Sequence, residues 1–376
     1  MIRRRRLRVA VLSPGVAAAL AVELKNVGVR SHEIVGWLEA DGQAFSTYVL
    51  PGGGPYLGQL DDVREIVRRH RIDLLVSCPV HGDDRTRLRV LEAVAESCLD
   101  LPVRMIELGE LYEELLGHVP IGAIDASWFQ GVLDPRFKPE SEIAKRAFDL
   151  VLGSIGLLLS LPLLAVAAVA IKLSDRGPLL YRQARVGRYG VPFTMLKLRS
   201  MRVDAEASGR VRTSPAGDPR VTPVGRYLRR WHIDELPQLL NVLRGEMSLV
   251  GPRPEQPALV PGLEARFRYY RYRHLLKPGI TGWGQVRCGY AGTEIGAAWK
   301  LCHDLFYLKH RSLFADARIV AKTFLTVLHG VQYGLRTPDE HFIADERAHQ
   351  GGLDSVISAP AAPAGDSLVL LPGGVR

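Results

Sequence analysis

Cysteine is scarce in this chain. The four residues Cys78, Cys98, Cys288 and Cys302, in a length of 376, form no CxxC pair, which argues against a zinc site or a disulfide framework and fits a reducing, cytoplasmic setting. Glycine is missing where one common function would need it. The first apolar run, LRVAVL, is followed by SPGVAAAL, with one glycine where a dinucleotide fingerprint requires three. Arg3 to Arg6 precede only that short run and then a turn, so no secretory signal peptide is expected. No recognisable nucleic-acid-binding motif accompanies the net charge of +9, which therefore points to a phosphorylated substrate or an anionic membrane surface, with no nucleic acid expected.

The first half alternates strand and helix. LRVAVL reads as a buried strand, Val16 to Val27 as a helix, HEIVGWLEA as a second strand and PGGGPYLGQ, Pro51 to Gln59, as a loop. LDDVREIVRRHR follows as an amphipathic helix, IDLLVSCP as another strand and ELYEELLG as a closing helix. This alternation predicts a parallel α/β sheet of Rossmann type over residues 1–132. A structural or regulatory role is expected of it. LDPRFKPESEIA is polar and carries two prolines, which makes residues 133–144 the linker.

Only one long uncharged run exists. Val151 to Ile171 holds no charged residue over 21 positions, about the length that crosses a bilayer as a straight helix. Lys145 and Arg146 precede it and Lys172 and Arg176 follow it, so the positive-inside preference would keep both ends on the cytoplasmic side. Pro162 removes a backbone donor near the middle. A helix over 147–173 that enters the membrane, breaks at Ser160-Leu161-Pro162 and returns satisfies both observations. A single-pass span and a buried helix in a soluble core are the alternatives.

The chemistry concentrates in RYLRRWHIDELPQLLNVLRGEMSLVGPRPE, Arg226 to Glu255. Leu228, Trp231, Leu236, Leu239, Leu240 and Leu243 recur at helical spacing and predict one apolar face. Pro237 is tolerated in a first turn, so a helix is expected to start or kink just after Asp234 and Glu235. Two adjacent carboxylates suit a divalent cation such as Mg²⁺, and free N–H groups at a helix start suit a phosphate. An Asp-Glu pair between arginines is also commonly a solvated face with weak ion pairs. Further along, LEARFRYYRYRHLL, Leu263 to Leu276, interleaves tyrosine and arginine, as either a membrane-interface or a core-packed segment does. PGITGWGQ is a glycine-rich turn where backbone could approach a ligand. CHDLFYLKHRSLFADARIVAKTFLTVLHG reads as helix, break and amphipathic helix, and the Gly-, Ala-, Pro- and Ser-rich tail within 336–376 as partly disordered.

The string from Asp218 to Glu255, together with YRQARVGRYGVPFTMLKLRSM (Tyr181 to Met201) and KPGITGWGQV (Lys277 to Val286), resembles the bacterial polyprenyl-phosphate phosphoglycosyl transferases, monotopic sugar transferases that initiate exopolysaccharide and related glycans. The resemblance covers roughly residues 144 to 335. It implies a mainly helical, membrane-associated transferase domain over 145–335, with the same re-entrant helix at Ser160 and Pro162. The first half resembles the Rossmann-like domain of the larger members, here without their usual N-terminal transmembrane helices. Catalysis is carried over to Asp234, as nucleophile, and Glu235, with Mg²⁺ on the pair. Lys197, Arg199, Arg229 and Arg253 are carried over as substrate-binding groups, for which planar guanidinium on phosphate supplies a physical reason. The implied donor is a UDP-sugar and the implied acceptor is polyprenyl (undecaprenyl) phosphate. The implied place is the cytoplasmic face of the bacterial inner membrane, among membrane lipids and other polysaccharide-assembly proteins. Where the family often has Asn-Gly-Arg after its glycine turn, this chain has Arg287-Cys288-Gly289, and no sugar selectivity is read there. A nucleotide-sugar hydrolase and a non-catalytic membrane scaffold are the competing classes.

Overall fold

A computed structural model describes residues 5–12, 14–39, 54–77, 84–121, 124, 126–134, 141–175, 177–203, 205, 218–288 and 294–329. The tail at 336–376 and residues 135–140 of the linker lie outside them.

The first half is β1 (Leu7–Val11), α1 (Pro14–Val27), β2 (His32–Glu39), β3 (Tyr56–Gln59), α2 (Val63–His70), β4 (Leu74–Ser77), α3 (Asp84–Cys98), β5 (Arg104–Glu107) and α4 (Leu108–Leu116). The strands form one parallel sheet in the order β3-β2-β1-β4-β5, the doubly wound arrangement expected from the alternation. Side chains of β1 alternate between its faces. Val9 and Val11 pack with α1 and α4, while Ala10 and Leu12 pack with α2 and α3. The expected loop at Pro51–Gln59 is corrected in its last part. Tyr56–Gln59 pairs with β2 as the edge strand, too short to show an alternating pattern and carrying Gly58 at φ 142°, a conformation open to glycine.

The second half continues with α5 (Ala126–Leu133), α6 (Glu142–Asp175), β6 (Leu180–Val186), β7 (Pro192–Leu198), α7 (Pro223–Arg230), α8 (Gln238–Arg244), β8 (Ser248–Val250), α9 (Val260–Arg266), β9 (Gly279–Thr281), α10 (Trp283–Cys288), α11 (Glu294–His310) and α12 (Leu313–His329). Its core joins α8, β8, α11 and α12 through Leu239, Val242, Val250, Leu301, Leu305 and Ile319. Val119, Ile121 and Trp128, which the sequence places in the first domain, are buried in this second core.

Among the described residues one helix, α6, is long and apolar enough to cross a membrane. Its backbone stays helical through Ser160-Leu161-Pro162, where a break is expected. Pro162 removes one ladder donor, and the Ser160 hydroxyl donates to the Leu157 carbonyl at 2.8 Å. Both halves of α6 rest on the same folded unit. Arg146 donates to the Val242 and Leu243 carbonyls that end α8, and Leu157 packs on the large core. Leu164, Ala167 and Ile171 pack with Leu198 and Leu228 in a smaller one.

Candidate active site

The expected single apolar face over 226–243 is divided. α7 begins on a Thr222 cap that accepts from Gly225 N at 2.9 Å, with Pro223 in the first turn. It ends at His232, which takes a left-handed conformation, φ 52°. Such a residue stops a right-handed helix and reverses its direction. Leu228 therefore faces α6 while Leu239 faces the large core, and Trp231 is left 42% exposed. Between the two helices, Ile233–Glu235 makes one tight 3₁₀ turn, and α8 starts after Pro237, as the proline position predicts.

That turn holds the two carboxylates against β7 and the Gly251–Pro254 turn. Glu235 Oε1 accepts from Lys197 Nζ at 2.7 Å and from Arg253 Nη2 at 2.8 Å. Burial alone would raise the Glu235 pKa, but Arg253 and Lys197 outweigh it and hold this carboxyl well below the ordinary glutamate value. Asp234 is also buried. Burial and the charge of Glu235 push its pKa up, against the pull of Lys197, Arg229 and His232. Two neighbouring carboxylates thus differ in character: one is an anchored anion, the other is desolvated and more basic than an ordinary aspartate.

The surroundings fix these side chains. Arg229 donates from Nε to Ser200 Oγ at 2.9 Å. Gly225 brings α7 directly onto the Ser200 backbone, where a Cβ would collide with the Ser200 carbonyl. The Arg253 turn is tied on both sides: Gly251 N donates to Thr281 O and Gly279 N to Pro252 O, both at 2.9 Å. Arg273, almost fully buried, donates to the Arg253 carbonyl at 2.9 Å and pairs with Asp304 at 2.8 Å. A cleft of about 150 Å³ opens between Arg253 and α11.

Of the residues expected at the site, Lys197, Glu235 and Arg253 are in direct contact, and the charges of Lys197 and Arg229 both act on Asp234. Arg199 is placed differently. Its guanidinium lies where a Cβ on Gly177 would stand, beyond the end of α6, and no described contact joins it to either carboxylate. Ser160 and Pro162 lie within α6. The segment Leu263–Leu276 is core-packed, with Tyr270 and Arg273 buried. Sequence reading missed His232, Arg273, Lys300 and Asp304. Arg273 and Asp304 lie 31 positions apart, and neither belongs to a local pattern that marks a site.

A family model described as bacterial sugar transferase matches residues 140–330. A UDP-N-acetylgalactosamine-undecaprenyl-phosphate N-acetylgalactosaminephosphotransferase of Aeromonas hydrophila is 39% identical over 233 residues, 62% of this chain and 54% of that protein. A UDP-glucose:undecaprenyl-phosphate glucose-1-phosphate transferase of Caulobacter vibrioides is 46% identical over 189 residues, 50% of this chain and 70% of the relative. The exopolysaccharide production protein PSS of Rhizobium leguminosarum bv. phaseoli is 39% identical over 192 residues, 50% of this chain and 96% of the relative. The chain spans about half the length of the Aeromonas protein.

Proposed function

Because this chain belongs to the bacterial sugar transferase family, we propose that it transfers a sugar phosphate from a UDP-sugar to polyprenyl (undecaprenyl) phosphate through a covalent aspartyl phosphosugar, initiating an exopolysaccharide or related glycan. The observation that carries the reading is the divided carboxylate pair: Asp234 desolvated and raised in pKa, beside a Glu235 already neutralised by Lys197 and Arg253.

An Asp234 carboxylate oxygen attacks the sugar-bearing phosphorus. The bond from that phosphorus to the bridging oxygen breaks, and the oxygen leaves with its electron pair on UMP. An oxygen of polyprenyl phosphate then attacks the same phosphorus, returning Asp234 to its ionised form and leaving a polyprenyl-diphosphate sugar. Lys197, Arg229 and Arg253 oppose the charge on the phosphates, and Glu235 holds Lys197 and Arg253 in place for it. Among the described residues there is no group of three or more His, Cys, Asp or Glu that would make a protein cage for a metal. Mg²⁺ is commonly held by one or two carboxylates plus substrate phosphates, and Asp234 and Glu235 fit that pattern. When bound, the ion would neutralise part of the diphosphate charge.

The acceptor is a lipid, and α6 supports a membrane-seated enzyme. Leu158, Leu159 and Val166 on it are more than 60% exposed. Only six residues separate Leu157, on the large core, from Leu164, on the smaller one. The two positions are therefore roughly 10 Å apart along the helix, far short of the ~30 Å of hydrocarbon that a span needs. A re-entrant helix bent at Pro162, in the cytoplasmic leaflet of the inner membrane, fits this spacing. The docked Arg146 end and the Ile171 end then lie on one side, with the site at headgroup level.

The test is UMP release from a panel of UDP-sugars by protein in nanodiscs with Mg²⁺, with and without polyprenyl phosphate, for the wild type and Asp234→Asn. Release that needs the lipid and vanishes in Asp234→Asn supports the transferase and names the sugar. Equal release without lipid points to a hydrolase. A substitution that leaves release unchanged removes Asp234 from the mechanism.

A further inference from the structure

The segment Pro252 to Glu255, which carries Arg253, has few hydrogen-bond donors of its own, because Pro252 and Pro254 have no N–H. It is held through its carbonyls instead, and each of the four accepts from a donor elsewhere in the chain. Pro252 O accepts from Gly279 N and Glu255 O from Val186 N, both at 2.9 Å. The two carbonyls between them accept from side chains: Arg253 O from Arg273 Nη2 at 2.9 Å, and Pro254 O from Arg185 Nη1 at 3.0 Å. The outer positions are thus main-chain pairing, while the inner ones depend on two arginines that the transfer chemistry does not use.

Both arginines are themselves fixed. The Arg273 side chain, 2% exposed, also donates from Nε to Asp304 Oδ2 at 2.9 Å and from Nη1 to the Tyr270 hydroxyl at 2.7 Å. Its planar fork serves Asp304, Tyr270 and the Arg253 carbonyl at once, which a lysine could not do. A buried ion pair of this kind often adds little to stability, because desolvation offsets the attraction. What the geometry adds is a fixed place for the Arg253 carbonyl. Arg185 donates from Nε and Nη2 to Gln183 Oε1 at 3.0 and 2.6 Å, two residues earlier on the same face of β6. In the β6–β7 register Tyr181 stands opposite Lys197 and Arg185 opposite Phe193, so Lys197 shares that face. One face of the hairpin therefore reaches Glu235 directly through Lys197 and reaches the main chain beside Arg253 through Arg185.

We propose that Arg185 and Arg273 are positioning residues for the transfer: by gripping successive carbonyls of the Pro-Arg-Pro turn they aim the Arg253 guanidinium at Glu235 and at the phosphates it opposes. The inference rests on the transfer reading for what Arg253 does, but not for what holds Arg253 in place. Both arginines act through the main chain of another residue and take no part in bond making.

The experiment uses the full chain in nanodiscs with Mg²⁺, polyprenyl phosphate and the UDP-sugar that supports UMP release. It compares Arg185→Lys and Arg273→Lys in the wild-type and Arg253→Ala backgrounds, with melting temperatures recorded for each. In the wild-type background each lysine should lower kcat about tenfold, the scale of one charge-assisted hydrogen bond lost. In Arg253→Ala the same substitution should change kcat by less than about twofold, because the group being aimed is gone. A loss that persists at full size in Arg253→Ala overturns the proposal, since the arginines then act elsewhere, and so does an unchanged kcat in a folded Arg185→Lys. Arg185 is only half-buried, so its lysine variant decides the matter if Arg273→Lys does not fold. Melting supplies a second arm that needs no turnover, from the wild type or from Arg253→Ala. Glu235→Gln should lower the melting temperature by about 2 °C less in Arg185→Lys than in the wild type, because Arg253 is no longer held on Glu235. An equal drop in both overturns the proposal. A smaller drop, found together with no turnover of any UDP-sugar, supports the positioning while counting against the transfer reading.

Discussion

Replacing Glu235 by glutamine removes one charge from the centre of the site and leaves its shape almost intact. The wild-type carboxylate is 12% exposed and accepts from Lys197, 16% exposed, and Arg253, 31% exposed. Removing one partner of a buried ion pair costs about 3–5 kcal/mol. Here Arg253 keeps access to water and the amide still offers an acceptor, so a loss of about 2–3 kcal/mol is expected. At about 2–4 °C per kcal/mol for a unit of 150–250 residues, the melting temperature should fall by roughly 4–12 °C. The pH dependence gives the stricter check. Glu235 has a folded pKa held well below 4.5, so its contribution is present above the unfolded value and is lost as pH falls through the folded one. The gap between wild type and Glu235→Gln should therefore be constant from pH 8 to about 5 and narrow below about pH 4.5, where the carboxyl of the unfolded chain takes up a proton that the folded one still refuses, closing only as pH falls through the folded value. Differential scanning fluorimetry in detergent across pH 3 to 8 measures both. A gap of under 1 °C at pH 7, or one that does not narrow in acid, would refute the account of Glu235 as the anion that holds Lys197 and Arg253.

Gly225→Ala should displace α7 from the Ser200 backbone, since the new Cβ meets the Ser200 carbonyl. A stability loss of about 1–3 kcal/mol, typical of overpacking, should come with a larger drop in kcat than Arg229→Lys produces, measured as UMP release. Glu113→Gln addresses the join between the two halves. The carboxylate of Glu113, on α4, accepts from Trp128 at 2.8 Å, Lys309 at 2.8 Å and His310 at 2.6 Å, and Lys309 is itself nearly buried. Neutralising it should lower hydrogen-exchange protection in 108–116 and 305–310 together, and unchanged protection in both would show that the join does not depend on this ion pair.

Much of this molecule is legible along the chain because it depends on local or periodic features. The alternation of LRVAVL, IDLLVSCP and intervening helices was enough to place a parallel sheet, since strand and helix each impose their own period. Pro237 marked the start of α8, because a proline ring is compatible with a first helical turn and with little beyond it. The charge-free run to Ile171 marked α6, and the adjacent Asp234 and Glu235 marked the candidate site, since paired carboxylates are visible in residue type. What the tertiary structure decided is how those residues meet. His232 takes a left-handed turn that no periodicity announces, and it sends Leu228 and Leu239 into different cores. The same fold brings Lys197 and Arg253, 56 positions apart, onto one oxygen of Glu235, and turns Arg199 away toward Gly177. It also gives Asp234 and Glu235 opposite pKa shifts. In the sequence the two carboxylates are neighbours of nearly equal acidity; only burial and the placement of distant cations make them different, because electrostatic energy depends on distance in space and on access to water.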